Sequence, residues 1–306
     1  MFAFHTCNQE SASLEVGRVW KAIWTFLDST DAKSRKATAE ALSRISSCFS
    51  PPLISVAIQD QHNSSVIRKI ILQVKEALDS LPYARAVPEL LSIVSSMIKN
   101  LQCQPHRNAP TAVEILLMPL IIRIADLRTS KGFEYKEAAD GTLSVGIQVL
   151  GVEVILNAIP LNVEPESRYV WCNFIPLNLY HPAHSNAGAE PRTFLLPLIA
   201  QHHPSSLLHF VSYFVPLSEN MFDWQQKAES EGRQSEAKVW NVLIGQVWAC
   251  LPGYCYCSPK LNEVRSRLRT IQFCLTKLCV AVFGHHLFTA FIPTSVRSTA
   301  TSAFHP

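Results

Sequence analysis

Only ten glycines occur among the 306 residues, and none of them builds the glycine-rich loop that cradles a phosphate, which argues against nucleotide-phosphate chemistry. The nine cysteines are scattered without paired spacing. The chain does not open with a charged segment, an apolar stretch and a small-residue cleavage site, so a secreted disulfide framework is not expected. A reducing compartment, cytosolic or nuclear, is the expectation instead. Net charge is scarce as well. A formal +3 is small for a protein that grips nucleic acid unaided, and its distribution matters more than its size. Residues 1–165 carry 16 basic and 16 acidic side chains, whereas Lys260, Arg265, Arg267, Arg269, Lys277 and Arg297 face only Glu263 after Ser258.

What the chain has is apolar content, 48% of its residues, ample for a core and unlike a disordered tail. That content is arranged with helical periodicity. Leu14, Val19, Trp20, Ile23, Trp24 and Leu27 form one stripe, at the spacing of a buried helix face. A second helix is expected at once, with Thr30 or Asp31 as its N-cap, Ala37, Ala41, Leu42 and Ile45 inward, and Asp31 paired with Arg35 one turn on. Pro51 and Pro52 break the chain before a further segment from Leu53 to Asp60. Val66, Ile67, Ile70, Ile71, Val74 and Leu78 predict a helix over 64–80, and Leu90, Leu91, Ile93, Val94 and Ile98 predict one over 87–101. Longer helices are expected from Pro110 to about Leu127 and from Phe133 to Leu150. Helix pairs at a period of roughly 40 to 47 residues point to an all-α solenoid of HEAT or armadillo type.

Chemistry-bearing constellations are poor. Cys250, Cys255 and Cys257, with His285 and His286 downstream, invite a zinc site, but four residues and one residue separate the cysteines and no second pair follows; structural zinc wants spacings of two to four, so thiols are the reading. His181, His184, His202 and His203 lack partners at ligand spacing and read as loop histidines. Ser144 lies between Gly141 and Gly146, one residue off the nucleophile-elbow spacing and in a helical context. Glu114, Asp126 and Glu153 fall on periodic helices as caps or solvated faces. Trp20, Trp24, Trp240 and Trp248 sit in apolar stripes and read as core anchors. No enzyme, cofactor or metal is expected.

Two apolar runs resemble membrane spans. Ile115 to Ile124 is about half of the ~20 residues a bilayer needs. Ile271 to Ile292 is long enough but contains Lys277, His285 and His286, a central charge costing roughly 2.5 to 3.5 kcal/mol. No stable membrane association is expected.

From Glu236 to Cys255 the chain reads EAKVWNVLIGQVWACLPGYC, a helix with Val239, Val242, Leu243, Val247 and Cys250 as its buried face, ended by Pro252 and Gly253. Together with RTFLLPLI (Arg192 to Ile199), HFVSYFVPLSENM (His209 to Met221) and GVEVILNAIPLN (Gly151 to Asn162), this stretch resembles the central domain of the ribosomal RNA-processing protein 12-like family. In the last of these blocks the family usually has proline where this chain has Val152. The resemblance covers roughly residues 14–255 and implies HEAT-like repeats over 1–150, a continuation over 151–257, and a basic and apolar tail over 258–306. Residues 168–188 match neither flank and are expected to be an inserted loop, in its sharpest form a retained intron that messenger sequencing would reveal. Because family members run far beyond residue 306, the chain is expected to be a fragment.

The resemblance implies a nucleolar, non-catalytic scaffold for ribosomal RNA processing and small-subunit maturation and export. Its partners would be pre-ribosomal particles, with nuclear transport factors as further candidates. The candidate RNA or partner contacts are Lys260, Arg265, Arg267 and Arg269; on a helix their charges would fan around the axis, so a solvated helix end is the plainer reading. The alternative function is a transport receptor or adaptor that binds only proteins.

Overall fold

The computed structural model describes residues 9–60, 62–103, 109–163 and 191–255. No strand occurs among them. They fall into two units, one running to Ser205 and one starting at Ser206.

The first unit opens with α1 (Gln9–Trp24), prolonged by a 3-10 turn (Thr25–Asp28), and continues with α2 (Ala32–Ser46), α3 (Pro51–Gln59) and α4 (Val66–Leu78). A 3-10 turn (Leu81–Ala86) leads into α5 (Val87–Asn100), followed by α6 (Ala112–Thr129), α7 (Lys136–Leu150), α8 (Val152–Ala158) and α9 (Leu195–Ile199). Helices α1, α4 and α6 pack in sequence along one layer, and α2, α5 and α7 along a second. Each first-layer helix also touches the second-layer helix that follows it, so the pairs α1/α2, α4/α5 and α6/α7 stack as repeats. From α1 to α4 the spacing from start to start is 57 residues, wider than the expected 40 to 47, whereas from α4 to α6 it is 46. The short helix α3, with Pro51 and Pro52 in its first turn where a missing N–H costs nothing, takes up the extra chain.

The stripes read from the sequence account for most of this packing. Ile67, Ile70, Val74 and Leu78 are buried on α4, and Leu90, Leu91, Ile93, Val94 and Ile98 on α5. Trp20 and Trp24 stack at 5.9 Å between ring centroids. Their indole N–H groups donate to Gln73 Oε1 at 3.2 Å and to Tyr83 Oη at 3.0 Å, which ties α1 to α4 and to the turn beyond it.

Helix α2 departs from expectation in two ways. Asp31 is its N-cap, accepting the backbone N–H groups of Lys33 and Ser34 and the Ser34 hydroxyl. Its carboxylate is therefore engaged locally, and Arg35 turns away to form an ion pair with Glu89 on α5. The expected Asp31–Arg35 bridge does not form. Ala37 faces solvent, while Thr38 and Ala39 join Leu42 and Ile45 inside. The inner face is rotated because α2 must meet both α1 and α5.

The second unit holds α10 (Leu207–His209), a π-helical turn (Phe210–Phe214), α11 (Val215–Ser230), α12 (Gln234–Ala249) and α13 (Leu251–Cys255). Pro216 offers no N–H to the carbonyl of Ser212, and the turn before it is the widened one. Helices α11 and α12 form a hairpin turned by Gly232 at φ 76°, a left-handed backbone that glycine adopts without strain. On α12 the buried face consists of Ala237, Trp240, Ile244 and Val247, with Trp240 against Trp224 at 5.0 Å. Val239 and Val242, expected inside, are 56% and 59% exposed. Val247 and Cys250 of the expected face are buried, so the face is rotated only in the first half of the helix, where Trp240 and Ile244 take the inner positions. Helix α12 ends at Ala249, and Pro252 sits early in the new turn α13.

Candidate functional site

Ser144, the hydroxyl closest to a nucleophile pattern, is buried on α7 and donates to Gln201 Oε1 at 2.6 Å. Gln148 Nε2 donates to the Ser144 Oγ at 3.4 Å. These contacts are amides, which cannot take a proton as a histidine would, so they hold α7 in place and do not activate the serine.

A buried polar knot closes the junction between α7 and α8. Gly151 ends α7 at φ 85°, and Val152 begins α8 with its N–H donated to Ser205 Oγ at 2.6 Å. The Ser205 N–H in turn donates to His203 Nδ1 at 3.3 Å. A Cβ at position 151 would lie 3.1 Å from Ser205 Oγ. The helix therefore starts at Val152, and the N–H that a proline would lack is used here by a serine 53 residues away. His202 and His203 both lie in a loop, as expected, with His202 exposed and His203 fully buried.

Among the described residues no group of three or more His, Cys, Asp or Glu side chains could hold a metal ion. Cys250 donates to the Gln246 carbonyl at 3.3 Å, and burial pushes its thiol up to about 12. Cys255 is also pushed up by burial. Cys257, His181, His184, His285 and His286 lie outside the described residues, as do Ile271–Ile292 and the expected insert over 168–188. Among the described residues no single helix is long and apolar enough to cross a membrane; only α2 and α3 together reach that composition, across an 89° bend.

The arginines act as staples between elements. Arg123 bonds Asp79 across α6 and the end of α4, Arg128 makes a bidentate pair with Asp140 on α7, and Arg192 bonds Asp126 at 2.8 Å. Arg128 also lies 4.8 Å over the Phe194 ring. Of the carboxylates read as caps or solvated groups, Glu153 is exposed and Glu114 lies in the first turn of α6, whereas Asp126 pairs with Arg192 66 residues away. The expected contacts Lys260, Arg265, Arg267 and Arg269 lie outside the described residues.

One concavity was missed by the sequence reading. A groove of about 200 Å³ lies between α4 and α6, lined by Ile71, Leu72, Leu116, Pro119 and Leu120 together with Asn63, Arg68 and Lys75. Pro119 inside α6 was the available signal, since an interior proline withholds a helix hydrogen bond and marks an irregular face.

Stacked helix pairs, structural rather than catalytic polar groups and ion pairs that fasten neighbouring helices define a helical-repeat protein of the HEAT class. The chain belongs to the family described as ribosomal RNA-processing protein 12, HEAT repeats, which matches residues 28–264. It is 28% identical over 256 residues to the Schizosaccharomyces pombe protein assigned as ribosomal RNA-processing protein 12, covering 83% of this chain and 19% of that protein. Proteins named "RRP12-like protein" from Gallus gallus and Homo sapiens are each 29% identical over 133 residues, covering 43% of this chain and 9% of theirs. The chain thus spans about a fifth of the yeast relative and about a tenth of the vertebrate ones.

Proposed function

We propose that this chain serves ribosome biogenesis as a non-catalytic scaffold that binds pre-ribosomal particles and supports ribosomal RNA processing and maturation or export of the small subunit. The observation that carries the reading is the family match over 28–264, together with relatives named for ribosomal RNA processing. The structure is compatible with it, because stacked helix pairs present long surfaces for partners rather than a closed reaction site. In this reading the work is divided between repeats over 1–150, their continuation over 151–257 and a basic tail over 258–306. Lys260, Arg265, Arg267 and Arg269 supply phosphate contacts, nuclear transport factors are secondary partners, and the nucleolus is the site of action, with shuttling to the cytoplasm.

Depletion of the protein from its own cells tests this reading. Small-subunit ribosomal RNA precursors are expected to accumulate in the nucleus and to fall again when the chain is restored within its full-length protein. Unchanged precursor levels, with mislocalised protein cargo instead, would favour a transport adaptor.

A further inference from the structure

We infer that the groove between α4 and α6 is a docking site for a short acidic segment of a protein partner, with apolar side chains between its carboxylates. The inference does not rest on the ribosomal reading. The floor is apolar from both walls, Ile71 and Leu72 on α4 and Leu116, Pro119 and Leu120 on α6. Leu72 is 42% exposed and Pro119 is exposed as well, so the rim of the floor is open to solvent while Leu116 and Leu120 beneath it belong to the core. Such exposed apolar surface bordered by charge is typical of an interaction site.

The charge lining the groove has one sign. Among the described residues Arg68 and Lys75 line it and no carboxylate does. Arg68 is fixed in place: its Nε donates to the Ala57 carbonyl at 2.6 Å and its Nη1 to Asn63 Oδ1 at 3.4 Å. Lys75 makes no ion pair among the described residues. Asp79, one turn beyond Lys75, is neutralised by Arg123 and adds little negative field. The two cations stand seven positions apart on α4, about 10 Å along the helix axis. A polyproline-II segment rises about 3.1 Å per residue with three residues per turn, so carboxylates three positions apart share one side of it and would reach both cations across the apolar floor.

The backbone adds a third feature. Pro119 has no N–H, so the carbonyl of Ile115 lacks its usual donor four residues on. RNA is disfavoured by the same geometry, because two cations beside an aliphatic floor without an aromatic side chain give no stacking platform.

The test is selection of a random-peptide display library on the folded 306-residue chain, followed by fluorescence anisotropy with the enriched peptide. Leu72→Asp and Lys75→Glu are the variants, each checked for native helicity. Both alter solvent-exposed side chains, so folding should survive. The expected result is an enriched motif with acidic residues about three apart around an apolar centre, bound about tenfold or more weakly by each variant, as for loss of a central contact. Lys75→Glu should in addition shift selection toward basic flanks. Absence of any enriched motif, a motif indifferent to both substitutions, or competition by single-stranded RNA or by a second copy of the chain in its place would overturn the proposal.

Discussion

The Nε of Arg35 on α2 lies 3.4 Å from Oε1 of Glu89 on α5, with the two side chains only 11% and 14% exposed. Arg35 Nη1 also donates to the carbonyls of Ser29 and Thr30 at 2.9 and 3.1 Å, so one guanidinium closes the turn into α2 and fastens α2 to the next repeat. Glu89 Oε2 is buried without a hydrogen-bond partner among the described residues. Removing either partner strands a poorly solvated charge. Arg35→Ala and Glu89→Ala should each destabilise the first unit by about 2–4 kcal/mol, slightly below the range for fully buried pairs. In urea denaturation the double variant should cost clearly less than the two single losses added together. Additive losses would show that the pair does not couple the repeats.

The knot at α7 and α8 makes a second prediction. Ser205→Ala leaves the buried Val152 N–H unpaired and should cost about 1–3 kcal/mol. Val152→Pro removes that N–H and strands the serine hydroxyl instead. In the Ser205→Ala background, Val152→Pro should be nearly neutral or stabilising, since proline is well suited to a first helical position. Equal effects of Val152→Pro in both backgrounds would contradict the assigned hydrogen bond. Gly151→Ala should also destabilise, both from its positive φ and from the approach to Ser205 Oγ.

Acid sensitivity follows from two capping carboxylates. Asp60 is held well below the usual carboxylate range, chiefly by the Ser65 N–H, which it accepts at 2.6 Å. Asp31 is lowered chiefly by the Ser34 hydroxyl. Both bind protons less readily folded than unfolded, so their contribution is complete above the unfolded value of about 3.9 and is lost as pH falls below it. Asp60→Asn and Asp31→Asn should lower stability at neutral pH and flatten its fall in acid, measured as denaturation midpoint against pH. An unchanged acid slope would remove these groups from the account.

The thiols differ in accessibility. Cys250 is fully buried with its pKa raised to about 12, so it should resist iodoacetamide in the native chain and react only on unfolding. Cys255, exposed, should be labelled earlier, as peptide mapping by mass spectrometry will show. Early labelling of Cys250 would mean that the second unit opens readily.

Where one apolar stripe was available, the sequence was enough. Val66 to Leu78 and Val87 to Asn100 fold as read because each helix has a single face that burial can use. Periodicity held for Val247 and Cys250 on α12 but failed in its first half, where the choice between Val239/Val242 and Trp240/Ile244 depends on Trp224, a tertiary neighbour. The Arg35 partner was hidden for the same reason, since Glu89 lies 54 residues away while Asp31 stood one turn off. The Val152 start was ambiguous until Ser205 supplied the acceptor. Of the candidate surfaces, the α4–α6 groove left only Pro119 as a trace in sequence, because its two walls come from helices far apart in the chain.

The most direct measurement is affinity purification of the tagged chain from its own cells, with sequencing of the co-purifying RNA before and after a step in salt. The account predicts enrichment of small-subunit ribosomal RNA precursors that weakens as salt rises, as contacts to phosphate require. Recovery of protein partners with no precursor RNA at either salt concentration would contradict it.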